Sequence, residues 1–124
     1  MTVRRSPRRA TEPLVRPVVV CLCGSTRFSQ AFRDANLSET LAGRIVLTIG
    51  CDTLPDHDLF PTLSSAERTA LTTQLERLHL CKIDLADEVL ILNVDGYIGE
   101  STRCELAYAR AHGKRIRFLE SVCD

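Results

Sequence analysis

The sequence is poor in aromatic residues and has no excess of charge of either sign. Aromatic residues make up 5% of the chain, and 16 Lys and Arg balance 16 Asp and Glu, so the formal net charge is zero. Nucleic-acid-binding domains usually carry a basic surface, often with aromatic side chains that stack on bases. We therefore expect no nucleic-acid partner for the body of the chain.

Long apolar runs are also missing. The longest, such as 17–23 and 89–92, have the length of strands and fall far short of the roughly 20 apolar residues that span a bilayer. No apolar stretch follows the basic N-terminal segment in the way a secretory signal requires. We expect no membrane-spanning segment and a cytoplasmic location.

The positive charge that is present is concentrated in residues 1–16. This segment holds five arginines and the single acid Glu12, together with Ser, Thr and Pro. It could contact nucleic acid or stay solvated, and its composition favours disorder because it has little apolar surface to bury. We predict a basic arm over 1–16 and one folded domain over 17–124, a suitable length for a single core.

The six cysteines form no recognisable framework. Cys51, His57, His79 and Cys81 could be assembled into a zinc set, but no Cys-x-x-Cys or His-x-x-x-His pair supports it, and ordinary packing is favoured. Cys21 and Cys23 alternate along an apolar strand, which sends both sulfurs to one face, and we expect them to pack in the core. The sequence thus predicts neither a disulfide scaffold nor a metal site.

Strand-like and helix-like segments alternate along the chain. Continuous apolar runs are typical of buried parallel strands, and spacings of three and four residues are typical of helices. A Ser64-x-x-Glu67 capping box begins the long central helix. The predicted strands are Pro17–Cys23, Arg44–Ile49, Glu88–Asn93 and Arg115–Leu119, and the predicted helices are Phe28–Leu41, Ser65–Ala86 and Glu100–His112.

This β-α-β-α-β-α-β order predicts an α/β fold. Right-handed crossovers produce a doubly wound parallel sheet of four to five strands with helices on both faces, a three-layer arrangement of the Rossmann or flavodoxin type. In such sheets a ligand binds outside the carboxyl ends of the strands. Two loops of this chain lie there.

The first loop is Gly24-Ser25-Thr26-Arg27, between the first strand and the first helix. Gly24 allows the backbone to turn and a ligand to approach, Ser25 and Thr26 offer hydroxyls, and Arg27 is a two-pronged donor suited to phosphate. The helix start adds free N–H groups. The alternative is that Ser25 or Thr26 only caps the helix and Arg27 is solvated.

The second loop leads into the third helix and contains Gly99, Ser101, Thr102 and Glu105. A helix N-terminus favours an ionised carboxylate, and a carboxylate beside a sugar can attack the anomeric carbon. The alternative is specific, because Thr102-x-x-Glu105 has the spacing of a capping box in which Glu105 would only satisfy the Thr102 backbone. Spacing alone favours the capping interpretation.

Together these segments resemble a known family. The turn "CGSTR" at 23–27, the strand "EVLILNV" and the stretch "GESTRCELAYARAHGK" with the strand after it resemble the nucleoside 2-deoxyribosyltransferase-like superfamily. That group includes nucleoside deoxyribosyltransferases and nucleoside 5'-monophosphate N-glycosidases. The resemblance covers residues 17–119, and the "CGSxR" turn is closest to the monophosphate glycosidases.

The resemblance implies roles for individual residues. The family's nucleophilic glutamate falls on Glu105, and the phosphate-binding Ser and Arg of the glycosidase turn fall on Ser25 and Arg27. The aspartate that handles the nucleobase falls on His79, with Asp84 as the nearest aspartate. Gly99 stands where the glycosidases have a phosphate-binding serine, with Ser101 nearby.

Two functions of different classes follow as expectations. One is an enzyme that cleaves or transfers the N-glycosidic bond of a nucleoside or nucleoside 5'-monophosphate through Glu105, without a metal or organic cofactor. The other is a non-catalytic nucleotide-binding module, which the loss of the family's aspartate favours. In both, the partner is a small nucleoside or nucleotide, and the resemblance implies a homo-oligomer.

Overall fold

The computed structural model describes residues 14–49 and 62–122 of the chain. The predicted loop over 51–61 and most of the predicted arm lie outside these ranges. A short 3-10 turn, Val94–Gly96, is the one described element that the sequence pattern did not predict. The strands are β1 (Val19–Cys23), β2 (Ile45–Leu47), β3 (Glu88–Ile91) and β4 (Arg115–Phe118), and the helices are α1 (Ser29–Leu41), α2 (Ser65–Leu85) and α3 (Glu100–Ala111).

The described strands form one parallel sheet in the order β2-β1-β3-β4. Val20 pairs with Val46 of β2 on one side and with Glu88 of β3 on the other, so β1 is central. The predicted doubly wound α/β fold is therefore confirmed, with four strands. Each observed strand is shorter than predicted, because the sequence pattern extends beyond the residues that pair with a neighbouring strand.

Alternating side chains of the sheet face two different helical layers. Odd-numbered residues of β1 and β3 pack toward α2 and α3 in a core that includes Ile83, Leu106 and Ala109. Even-numbered residues pack toward α1 through Phe32 and Ala35. Because both faces are covered, all five residues of β1 are buried, which explains why its sequence is apolar throughout.

The helix ends follow the sequence signals closely. The Ser64 hydroxyl accepts a hydrogen bond from the Glu67 backbone N–H at 3.1 Å, and the Glu67 carboxylate accepts one from the Ser64 backbone at 3.0 Å. This is the predicted capping box of α2. Gly43 and Gly113, which follow α1 and α3, have φ of 88° and 70°, a conformation that glycine adopts without strain.

A buried group of charges crosses the α1 side of the sheet. Glu39 of α1 and Glu88 of β3 are 7% and 6% exposed. Arg117 of β4 contacts both: its Nη2 lies 2.7 Å from Glu88 Oε1, and it also pairs with Glu39. Arg44 completes the group at 3.4 Å from Glu39 and 3.7 Å from Glu88. The network ties α1 to the two strands on the far side of β1.

The predicted arm makes one described contact with the domain. Arg16 Nη2 donates to Asp87 Oδ1 at 2.8 Å, and Asp87 Oδ2 accepts from the backbone N–H of Val19 at the start of β1. These two interactions hold the pKa of Asp87 below its usual value, the pairing with Arg16 being the larger cause. Arg16 therefore belongs with the domain in space, although the sequence pattern assigns it to the arm.

Among the described residues, no helix combines the length and the apolar character that crossing a bilayer requires. Even α2, which extends from Ser65 to Leu85, carries charged and polar side chains along its whole length.

We predict that Arg117→Met destabilises the protein by about 3 kcal/mol, because it leaves the buried Glu39 and Glu88 carboxylates with only the longer contacts to Arg44. Chemical denaturation monitored by circular dichroism measures this change. Arg115→Met is the matched control, since Arg115 lies on the same strand but is exposed. Equal losses of stability in the two variants would show that the Glu39 and Glu88 network does not depend on Arg117.

Candidate active site

A pocket of about 350 Å³ opens at the carboxyl ends of β1 and β3. These neighbouring strands lead to opposite faces of the sheet, β1 into α1 and β3 towards α3, so the pocket lies at the topological switch point where α/β proteins bind ligands. Its size is in the range of small-molecule sites. Its lining comes from the turn after β1, from one face of α2 and from the segment that begins α3.

The N-terminus of α3 points its free backbone groups at this pocket. Gly99 is the N-cap, and Gly99, Glu100, Ser101 and Thr102 all line the pocket. The first four N–H groups of a helix have no partner within the helix and carry the positive end of its dipole. Such a terminus is a ready site for an anion.

The predicted Thr102-Glu105 capping box is wrong. The helix begins earlier than that interpretation requires, so Thr102 lies inside the first turn, 3% exposed, and the N-cap makes no side-chain hydrogen bond. Glu105 lies in the second turn and turns toward α2. Glycine at position 99 was the signal to read, because glycine is itself among the residues that occupy N-caps.

The turn after β1 is also free of a capping role. The N-cap of α1 is Phe28, without a side-chain hydrogen bond, so the alternative in which Ser25 or Thr26 caps this helix is wrong. Ser25 instead closes a local turn, its carbonyl accepting from the Phe28 N–H at 3.0 Å. Gly24, Ser25 and Thr26 all line the pocket, as predicted.

Gly24 is also constrained by packing. A Cβ at this position would lie 3.0 Å from Leu92 Cβ and 3.5 Å from Phe32 Cζ. Both neighbours belong to the core on the α1 side of the sheet. The missing side chain therefore lets the turn sit directly against β3.

Arg27 lies at the rim and does not line the pocket. Its guanidinium carbon is 4.4 Å from the centre of the Tyr97 ring, and its Nη2 donates to the Tyr97 hydroxyl at 3.3 Å. Phe28 packs edge-on against the same ring, with centroids 5.8 Å apart. Tyr97, a pocket residue, thus holds Arg27 beside the opening.

Glu105 and His79 meet at the inner wall. His79 Nε2 lies 3.9 Å from Glu105 Oε1, and the two side chains are 6% and 14% exposed. Burial raises the pKa of Glu105, while the charge of His79 opposes the rise. The sequence predicts that the helix dipole favours the ionised form of Glu105. Burial is the larger effect in the structure, because Glu105 lies beyond the first turn of α3.

Two cysteines of β1 lie behind this wall, on the core side of His79. Cys23 Sγ and Cys21 Sγ lie 3.3 and 3.7 Å from His79 Nε2, and both cysteines are fully buried. Interaction with Cys23 lowers the pKa of Cys21 to about 6 despite its burial. Burial alone would lower the pKa of His79, but the hydrogen bond and charge of Cys21 and the charge of Glu105 raise it. The expected core packing of the two cysteines is correct, and the polar contact with His79 was not foreseen.

Asp84 is not part of the pocket. Its carboxylate accepts hydrogen bonds from the Tyr108 hydroxyl at 2.8 and 3.0 Å, on the α2 to α3 contact. A separation of five residues from His79 turns it about 140° around α2, since each residue adds about 100°. Asp84, predicted as the alternative to His79 for assisting the base, therefore lies on a different face of α2 from the pocket.

Sequence reasoning missed two charged residues of α2 that line the pocket. Glu76 and Lys82 lie three residues before and three after His79, so all three share one helix face. That spacing could have found them. Lys82 Nζ also donates to the Thr48 carbonyl at 2.6 Å, which ties α2 to the end of β2.

The structure therefore brings together eight of the ten predicted site residues. Arg27 stands at the rim and Asp84 elsewhere. The residues that line the pocket as predicted are Gly24, Ser25, Thr26, His79, Gly99, Ser101, Thr102 and Glu105.

Comparison of the chain with family models, with curated proteins and with solved structures gave no match. Any functional assignment therefore rests on the site itself.

We predict that Gly24→Ala destabilises the protein by about 1–3 kcal/mol, because the added Cβ would overpack a position where the Leu92 Cβ cannot move away. Urea denaturation gives the change in the free energy of unfolding. Thr26→Ala, at an exposed position of the same turn, is the control and should be nearly neutral. A stable Gly24→Ala variant would mean that the turn can separate from β3 freely.

Proposed function

We propose that this protein cleaves or transfers the N-glycosidic bond of a nucleoside or nucleoside 5'-monophosphate, with Glu105 as the nucleophile. The observation that supports this most is the position of Glu105. A carboxylate with little solvent exposure faces a small-molecule pocket whose adjacent wall is a helix N-terminus. The capping role that competed with this interpretation is absent from α3.

The pocket offers a place for a 5'-phosphate. The free N–H groups at 99–102 and the hydroxyls of Ser25, Thr26 and Ser101 are neutral donors suited to an anion. Arg27 at the rim adds a charged donor that is already oriented by Tyr97. These groups favour a monophosphate over an unphosphorylated nucleoside.

The chemistry proceeds in two displacements. A Glu105 oxygen forms a bond to C1' as the bond from C1' to the base nitrogen breaks, and the electron pair leaves with the base. The base departs more readily when it receives a proton, and His79 and Glu76 are the titratable side chains of α2 beside the nucleophile. Water then releases the sugar in a hydrolase, or a second base accepts it in a transferase.

Incubation of the protein with a panel of nucleosides and nucleoside 5'-monophosphates tests this proposal directly. Released base is followed by chromatography, and a thermal-shift measurement on the same panel reports binding. Base release from at least one member is the expected result. The absence of release from every member would contradict the enzymatic assignment.

We predict that Glu105→Gln lowers base release by several orders of magnitude while nucleotide binding persists. The change keeps the shape of the side chain but removes the charge and the attacking oxygen. Glu67→Gln is the matched control, because Gln also serves at that position of the α2 capping box. A Glu105→Gln variant that retained most of the rate would remove Glu105 from the mechanism.

We predict that Arg27→Ala weakens binding of 5'-monophosphates far more than binding of the matching nucleosides. A charge-assisted hydrogen bond contributes about 1.5–3 kcal/mol, which corresponds to roughly a 10- to 150-fold loss of affinity. Isothermal titration calorimetry compares the two ligand types. Arg33→Ala, on the exposed side of α1, is the control. Equal losses for both ligand types would contradict the phosphate assignment.

A non-catalytic nucleotide-binding module is the second candidate. One observation favours it: the α2 position that the family resemblance gives to a base-handling aspartate holds His79, and Asp84 is engaged with Tyr108. A thermal shift without base release would support this candidate over the enzyme.

We propose further that the protein is a homo-oligomer and is located in the cytoplasm. It follows from the same resemblance and from the composition of the chain. Light scattering coupled to size-exclusion chromatography measures the oligomeric state, and a monomer at working concentrations would contradict that part.

A further inference from the structure

A group of metal-binding side chains lies directly behind the inner wall of the pocket. Cys21 and Cys23 are fully buried and His79 is 5% exposed, and their Sγ and ring-nitrogen donor atoms all lie within 4.8 Å of one another. The two cysteines belong to the same core cluster as Val19, Ile83 and Val89. Three donor groups thus converge on one point inside a hydrophobic core.

The spacing of these donors matches a tetrahedral centre. With metal–sulfur distances of about 2.3 Å and metal–nitrogen distances of about 2.0 Å, sulfur and nitrogen ligands lie about 3.5 Å apart. The two Sγ to Nε2 distances here are 3.3 and 3.7 Å. These two distances fit a tetrahedral metal ion, and the two sulfurs lie within 4.8 Å of each other.

A fourth donor, Glu105, lies on the side of this group that faces the pocket. Glu105 Oε1 is 3.9 Å from His79 Nε2, slightly beyond the edge of a tetrahedron, and it faces the pocket through which an ion would enter. Two thiolates and a carboxylate around a divalent ion leave one negative charge. Lys82, close enough to act electrostatically on both Cys21 and His79, offsets it.

Hydrogen bonding alone accounts poorly for this arrangement. Thiols are weak donors and acceptors, so they compensate an imidazole for burial only in part. His79 Nδ1 has no hydrogen-bond partner within 14–49 and 62–122. A metal ion at Nε2 would replace these weak contacts with sulfur by strong bonds, while Nδ1 would stay without a partner among the described residues.

We propose that Cys21, Cys23 and His79 bind a divalent transition metal of the zinc class, with Glu105 as the fourth ligand. Thiolate and imidazole together favour Zn²⁺ over Mg²⁺ or Ca²⁺, which prefer oxygen. Binding replaces the thiol protons, which pass to solvent, and no electron is transferred.

This inference does not rest on the proposed function, because the metal is detected by binding alone. It does have a consequence for that function. A metal-bound Glu105 has one oxygen on the ion and its negative charge largely neutralised, so it is a poorer nucleophile and occupancy of the site lowers the rate of base release. If the enzyme is active, Zn²⁺ should inhibit it and a chelator should restore it.

The experiment uses the full chain with the other four cysteines, Cys51, Cys81, Cys104 and Cys123, replaced by serine. The reduced protein is treated with a chelator, dialysed, and titrated first with Co²⁺ and then with Zn²⁺. We expect one equivalent of Co²⁺ to produce the intense visible and near-ultraviolet absorption of a tetrahedral thiolate complex. Zn²⁺ should then displace it and raise the Tm.

Adding Cys23→Ser or Cys21→Ser to this background should weaken Zn²⁺ binding by about 100-fold or more, since even outer-shell changes cost 10- to 100-fold. Restoring Cys81, which is exposed on α2, should change nothing. Circular dichroism verifies that each variant is folded. If a serine variant does not fold, the Co²⁺ spectrum and the Zn²⁺-dependent rise in Tm of the four-serine protein decide the matter.

The proposal is overturned if the folded four-serine protein takes up neither ion. It is equally overturned if uptake persists undiminished in folded Cys21→Ser and Cys23→Ser variants. Base release, present or absent, bears only on the glycosidase proposal and leaves this result unaffected.

Discussion

The burial of β1 on both faces is the constraint on which the rest of this structure depends. β1 lies between β2 and β3 in the sheet, and its side chains alternate between the α1 core and the core beneath α2 and α3. That alternation sends Cys21 and Cys23 to the same side as His79. Gly24 follows the strand directly, packs closely on Leu92 and lines the pocket.

The helix α2 supplies the opposite side of the site. Its pocket-facing residues follow helical spacing, and its ends are held by the Ser64 capping box and by the hydrogen bond from Lys82 to Thr48. Because α2 is held at several points, His79 is presented to Glu105 and the two thiols without depending on a loop. A different face of α2 contacts α3, where Asp84 accepts a hydrogen bond from Tyr108 of α3.

Glu105 is shared by the two chemical proposals. It borders the pocket on one side and His79 and the cysteines on the other. In the proposed reaction it attacks an electrophilic carbon on the pocket side, and in the proposed metal site it is the fourth ligand on the core side. A metal ion on one of its oxygens withdraws charge from the other, so the two proposed roles oppose each other.

The order of elements, the α2 capping box and the glycines that follow α1 and α3 could all be read from the sequence, because local spacing and backbone preferences determine them. Most of the pocket could be read as well, since parallel strands bring their carboxyl ends to one edge. The place of Glu76 beside His79 follows from helical spacing and was readable too, whereas the partner of Asp84 was not. Glycine at position 99 and the capping spacing around Thr102 indicate different starts for α3, and only the structure selects between them. The meeting of Cys21, Cys23, His79 and Glu105 depends on three elements far apart in the chain, so only the tertiary structure decided it.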